Sequence, residues 1–456
     1  MPADIPGFRP SATYPRSLRS RLIDLLLRPE VRGTVNVVVI KAIMMILNFT
    51  LIALAARGLG VTDFGHYSVL FSAAGLLLIV GTAGQELFVI RTWNEFAGAN
   101  DAAAAKGALR FSGILVLTAS CGVASLFLPW AIASYDLQTA LAVTAFIVIA
   151  AGMQVTSHFV RTAVGVTAGD GLASILQMTP AIVYLAASLM YQVPPSVTAI
   201  FGVLAGGAFA ALLTHLVIAQ FVVRRRLPEW RRVMPRMRLR EWLQRSSRLL
   251  GATTVEAANQ YADVLVLSLL VSPAVAGAYF VTARVANLFA AAADAINLFT
   301  TQHFSRLYHG SSPEKLESLL DSVARITVAF VAAGLLAIAI AGYFVLAMIN
   351  EAYVSFYPEL LVLCVATAAL AMARPAGSIL MLTGHEGSYL VTIAVSAAGR
   401  MVGMLLLTPI FGIMGAVAVT AVSHILTAVV LYRLVRRSTG LNLSILRLTP
   451  YGGRRR

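Results

Sequence analysis

The chain has 456 residues, of which 59% are hydrophobic and only 12% charged, and its mean hydropathy is +0.81. A soluble domain carries about 25% charged residues, so this composition excludes a water-soluble body. The formal net charge of +15 would point to nucleic acid in a soluble protein; here the arginines gather at 9–32, 224–248 and 433–456, beside apolar segments, which reads as orientation signals and contact with anionic lipid headgroups.

Residues 1–32 are basic and hold no long apolar core, so they are not a secretory signal. Leu18, Leu22 and Leu25 share one helical face among Arg19, Arg21 and Arg28, a pattern common to an interfacial helix and to a short solvated lead-in. Twelve apolar segments follow, at 33–56, 67–90, 107–130, 138–158, 172–191, 197–223, 249–271, 275–299, 323–349, 360–382, 389–407 and 413–434. Each is long enough to cross about 30 Å of hydrocarbon at about 1.5 Å per residue. The runs are continuous and do not alternate, which excludes a β-barrel. The expected fold is an all-α polytopic membrane protein with twelve transmembrane helices.

The segment 224–248, RRRLPEWRRVMPRMRLREWLQRSSR, sets ten arginines against Glu229 and Glu241. Such a block resists transfer across a bilayer and pins its side to the cytoplasm. Loops on that side hold Arg91 and Lys106, Arg161, Arg306 and Lys315, whereas 131–137, 192–196, 272–274 and 350–359 hold no lysine or arginine. With twelve spans both termini are cytoplasmic, in the inner membrane of a bacterium.

The flanks of the basic segment repeat. FGHYSV at 64–69 aligns with AGAYFV at 276–281, and FGVLAGGAFAALLTH at 201–215 with FGIMGAVAVTAVSH at 411–424, about 210 residues apart in each case. Both copies begin on one side, so this is a parallel repeat about an axis along the membrane normal, an arrangement that places substrate between the halves. The expected organisation is a basic segment at 1–32, a six-helix bundle at 33–223, a basic linker at 224–248, a second six-helix bundle at 249–435 and a basic tail at 436–456.

An ionisable residue at the centre of a span costs about 2.5–3.5 kcal/mol on insertion scales, so those present carry most of the information. In the seventh span Glu256, Asn259, Gln260 and Asp263 stand at i, i+3, i+4 and i+7 and line one face. That face meets a partner helix or a wet cavity. The eighth span carries Arg284, Asn287 and Asp294 on a similar stripe; the first carries Lys41 and Asn48; the second carries Gln85 and Glu86 near its inner end; Arg110, Arg374 and Arg400 lie in or near the third, tenth and eleventh. Two readings stand side by side. Either these groups are inter-helix ion pairs, such as Arg284 with Asp263, or the cations Lys41, Arg284 and Arg400 meet an anionic substrate while Glu86, Glu256, Asn259, Gln260, Asp263 and Asp294 line the cavity or hold a coupling ion, Na+ or H+.

His158, His215 and His424 sit near inner helix ends and His66 near an outer one; packing through hydrogen bonds is favoured for them over a proton relay. Cys121 and Cys364 both lie in apolar segments and build neither a disulfide framework nor a metal site. The chain has no GxxxxGK[ST] loop and no HExxH pair, and His385–Glu386 lacks the second histidine. Neither a resident cofactor nor a catalytic role is expected.

The stretches ARGLGVTDFGHYSVLFSAAGLL (56–77), YADVLVLSLLVSPAVAGAYFVTARVANLF (261–289) and FGIMGAVAVTAVSHIL (411–426) resemble the signature helices of bacterial polysaccharide flippases. These are the lipid-linked oligosaccharide translocases of the multidrug, oligosaccharidyl-lipid and polysaccharide exporter superfamily. The resemblance implies two six-helix bundles around a central cavity that work by alternating access. It implies a polyprenyl-diphosphate-linked oligosaccharide as cargo, for lipopolysaccharide or exopolysaccharide export, with polysaccharide assembly proteins as partners. It also implies that Arg284, and Lys41 from the first helix, meet the diphosphate. The rival readings are a multidrug or small-cation exporter of the same fold, which would need a net acidic cavity, and a membrane glycan polymerase or ligase, which would need a catalytic face on a large outer loop.

Overall fold

In the computed structural model, residues 29–287, 297, 304 and 313–443 are described. Their helices are α1 Pro29–Gly58, α2 Gly60–Thr82, α3 Gln85–Gly98, α4 Ala102–Ser134, α5 Leu137–Ala163, α6 Leu172–Met190, α7 Val197–Arg226, α8 Leu239–Leu270, α9 Pro273–Ala286, α10 Pro313–Ile349, α11 Tyr357–Leu382 and α12 Glu386–Thr439. Short side chains set several starts. Asp101, Asp136, Ser196 and Ser272 each accept a hydrogen bond from the main-chain N–H three residues on, which satisfies one orphan donor of the first turn.

Among the described residues nine helices are long and apolar enough to cross a membrane, counting α2 with α3 as one. The last of the nine, α12, is two arms joined at Gly412, whose φ of 58° breaks the helix. The polar stripe of α8 keeps it out of that number, and α9 is described only to Ala286. Twelve spans are consistent with this arrangement. The lead-in helix at 18–28, Asp294, the small-residue run 290–293, Arg306 and the arginines 454–456 lie outside the described residues.

Two boundaries differ from expectation. The second span, expected over 67–90, is interrupted at Ala83 and Gly84, both with positive φ (51° and 71°). Gln85 and Glu86 therefore open a separate helix, α3, instead of closing a span. The basic segment 224–248 is exposed along most of its length but is not detached from the helices. Its first residues complete α7 and its last open α8. What lies between is fastened to the basic end of the first half. Lys106 Nζ donates to the carbonyls of Trp230 and Val233, each at 3.0 Å, and the Arg236 amide donates to the Ala103 carbonyl at 3.0 Å. The Arg236 guanidinium pairs with Asp101, and Arg245 reaches Glu95 at 3.3 Å. The reason is a tryptophan inside the charge run. Trp242 is wholly buried, packed on Phe88, Phe96 and Phe111, and an indole of that size draws its helix into the core.

Two of the aligned stretches, 64–69 and 276–281, pack on each other. Gly65 of α2 and Gly277 of α9 are equivalent positions of the two copies, and they touch. A Cβ on Gly277 would lie 2.9 Å from Gly65 Cα, and one on Gly65 would lie 2.4 Å from the Pro273 carbonyl oxygen. Phe64 packs against Phe280 and Tyr353 with ring centroids 6.3 and 6.0 Å apart. Farther along α2, Gly75 makes room for the Tyr261 ring of α8. Backbone thus meets backbone along a seam between α2 and α9. Gly65→Val should force this seam apart: overpacking of this kind costs about 1–3 kcal/mol, and disulfide trapping between cysteines placed on α2 and α9 should slow markedly. Trapping at the native rate would show that the contact is not needed.

Candidate substrate cavity

Helices α8, α9, α11 and α12 of the second half enclose a cavity of about 490 Å³. The i, i+3, i+4, i+7 face of α8 lines it with Glu256, Asn259, Gln260 and Asp263, as the spacing requires. The other helices bring in Arg284, Arg374 and Arg400, and from the far arm of α12 Thr420 and His424. Three guanidinium groups against two carboxylates leave the lining net positive.

Part of its lining is a buried polar network centred on Arg400, which is 3% exposed. Arg400 Nε lies 3.2 Å from Asp263 Oδ1, and Nη2 donates to both the carbonyl and the side-chain oxygen of Asn259, at 2.7 and 2.6 Å. Nη1 lies 3.2 Å from His424 Nε2. A nitrogen facing a guanidinium accepts, so the proton of this imidazole sits on Nδ1. Tyr279 donates to Asp263 at 3.0 Å and meets Thr420 at 3.2 Å. The ion pair that forms is therefore Arg400–Asp263, where the spans alone suggested Arg284–Asp263.

Arg284 is held differently. Its guanidinium stands 4.9 Å from the Phe280 ring centroid and 5.9 Å from that of Tyr261, and it has no carboxylate partner among the described residues. It is a half-buried cation propped on aromatic faces and open to the cavity. Arg374 lies within electrostatic reach of Glu256 and Tyr389.

Not every expected residue joins this site. Lys41 is exposed on α1 and does not line the cavity; it stands within electrostatic reach of His158 on α5. Glu86 is buried at the start of α3, away from the cavity lining but within reach of the charge on Glu256. Tyr279, His424 and Thr420 were missed as members of one network, because only the packing of α8, α9 and α12 brings them together. The first half has its own smaller network, where Asp170 pairs with Arg161 at 3.1 Å and accepts from Ser157 at 3.2 Å. A larger groove, about 610 Å³, runs between the two arms of α12. Its wall is almost wholly apolar, and the one charge there, Arg400, is already engaged.

Residues 31–302, more than half of the chain, match the model of the polysaccharide biosynthesis protein family. No curated protein matches the chain in sequence. Among solved structures, an inward-facing multidrug resistance MATE family transporter of the MOP superfamily is similar over 91% of this chain and 99% of that one, with a TM-score of 0.70 and 16% identity. The lipid II flippase MurJ, in an inward closed conformation, is similar over 87% of each chain, with a TM-score of 0.67 and 10% identity. A MOP superfamily transporter from Pyrococcus furiosus, described as having a binding pocket of reversed polarity, covers 89% of this chain and 94% of its own, with a TM-score of 0.55 and 18% identity. The chain is a multi-pass membrane protein with the MOP-superfamily transporter fold, and it belongs to the polysaccharide biosynthesis protein family.

Proposed function

We propose that the chain flips a polyprenyl-diphosphate-linked oligosaccharide from the inner to the outer leaflet of a bacterial inner membrane, by alternating access between its two halves. The observation that carries this reading is Arg284, a cation of the cavity that no carboxylate of the described residues neutralises. A diphosphate bears about two negative charges and cannot cross hydrocarbon unpaired. A guanidinium offers it a planar fork of donors. Asn259 and Gln260 line the same cavity and supply contacts for sugar hydroxyls, while the polyprenyl tail stays in the bilayer.

With the basic segments on the cytoplasmic side, both termini are inside and the glycine seam closes the periplasmic end, so the cavity in this state serves the inner leaflet. The two halves, 33–223 and 249–435, then act as the moving bodies, with 224–248 travelling with the first. Lys41, on α1, would meet the diphosphate only in another state of the cycle. A small-cation exporter of this fold is disfavoured by a net positive lining, and a glycan polymerase by the short loops between spans. Depleting the chain should make lipid-linked oligosaccharide accumulate on the cytoplasmic leaflet, detected by its inaccessibility to an added periplasmic glycosidase in spheroplasts. Unchanged accessibility, with normal surface glycan, would refute the assignment.

A further inference from the structure

A third cavity lies apart from the substrate cavity and from the groove of α12. It measures about 450 Å³ and opens between α4 and α7, beside the basic segment. Those two helices make little direct contact with each other; what joins them here is the short turn Pro228–Arg231, which packs on both. A cleft between two membrane-spanning helices is filled by lipid, since an empty one would forfeit dispersion contacts along its walls.

The charge of this cleft is of one sign. Lys106 of α4, Arg224 from the last turn of α7 and Arg231 of the turn line it, and no carboxylate of the described residues does. Lys106 is fixed in place. Its Nζ donates to the Trp230 and Val233 carbonyls and stands 5.9 Å from the Trp230 ring centroid. An ammonium has three donors, so one remains. Arg224 and Arg231 are exposed, and neither has a carboxylate partner among the described residues. Farther from the basic segment the lining turns apolar, with Leu109 and Leu216. Leu216 stands eight residues before Arg224, about 12 Å along the helix at about 1.5 Å per residue. Trp230 is half-buried in the same lining, a residue type that favours the headgroup level of a membrane.

We propose that this cleft binds an anionic phospholipid, with the phosphodiester against Lys106, Arg224 and Arg231 and an acyl chain along Leu109 and Leu216. A guanidinium meets a phosphate through a planar fork of donors, and basic pockets between membrane-spanning helices take such headgroups. Free phosphate would leave the apolar wall uncovered. A zwitterionic lipid would bring its own cation to a rim that is already positive. A lipid seated here touches α4, the end of α7 and the turn at once, so it adds to the bonds of Lys106 and Arg236 that hold the basic segment to the first half. The inference goes beyond the carrier reading and takes nothing from it.

The test titrates the purified, delipidated full-length chain in detergent with phosphatidylglycerol, with binding read by native mass spectrometry. Two paired variants are compared. Arg224→Gln with Arg231→Gln empties the rim, whereas Arg225→Gln with Arg232→Gln removes the same charge from exposed neighbours outside the cleft. The first pair should weaken binding by about 25-fold, a factor of about five for each basic group, and the second should leave it near that of the parent. Phosphatidylcholine should bind the parent no better than phosphatidylglycerol binds the first pair. In the parent chain, phosphatidylglycerol with a diazirine in its acyl chain should label the α4 and α7 peptides that hold Leu109 and Leu216, a readout that needs no variant to fold. Equal losses in the two pairs, equal binding of the two lipids, labelling confined to other helices, or displacement by inorganic phosphate but not by chloride at equal ionic strength would each overturn the proposal. No glycan enters the measurement, so its failure leaves the carrier reading intact, and failure of that reading leaves the lipid site standing.

Discussion

Export of surface glycan should fall by about a hundredfold in Arg284→Ala, with the protein still folded and in the membrane. A hydrogen bond to a charged group contributes about 1.5–3 kcal/mol, and a guanidinium fork on a diphosphate makes more than one, so a loss near 3 kcal/mol of headgroup binding is the expected scale. The same substitution removes little stability, because what Arg284 touches in the resting protein are the faces of Phe280 and Tyr261. Such contacts contribute about 0.5–2 kcal/mol. Arg284→Lys keeps the charge and loses the fork, so partial export is expected. Surface glycan is measured by immunoblot and folding by thermal unfolding in detergent. Full export by Arg284→Ala would remove this residue from the diphosphate site.

The opposite pattern is expected at Arg400. Most of what this guanidinium offers is engaged within the protein: Nη2 donates twice to Asn259, Nη1 meets His424, and Asp263 pairs with its charge. Arg400→Ala strands a buried carboxylate, and Asp263→Ala strands a buried guanidinium, and breaking a buried pair in this way costs about 3–5 kcal/mol. Each single variant should therefore unfold at a clearly lower temperature than Arg284→Ala, whatever it does to export. The double variant Asp263→Leu with Arg400→Met should recover much of the loss, since two apolar groups leave no charge unpaired. If both single variants melt like the parent, the pair is not holding α8 to α12, and Arg400 returns to the candidates for direct substrate contact.

Much of the architecture was legible in order along the chain. The apolar runs announced an all-helical chain with long helices fit to cross a membrane, and that is what the described residues form. Helix period alone put Glu256, Asn259, Gln260 and Asp263 on one face, and that face lines the cavity. Two features were not legible, for identifiable reasons. Trp242 sits inside a run of arginines, where charge dominates any local window, so its burial and the docking of the linker were invisible. The break at Ala83 and Gly84 lies inside a long apolar run, and hydropathy carries no record of positive φ.

The assignment of partners is of another kind. A one-dimensional chain states that charges are present within spans, and the cost of burying them states that they must be matched. It does not state which match is made. Asp263 lies 137 positions from Arg400 and 21 from Arg284, and nothing along the chain chooses between the two guanidinium groups. Composition and periodicity act locally and are read locally, so class and the polar face of α8 were determined by the sequence by itself. Which cation is spent on Asp263 and which is left to face the cavity depended on α12 folding back across α8. That choice is made by distances of about 3 Å between helices far apart in sequence, and only the packed structure contains them.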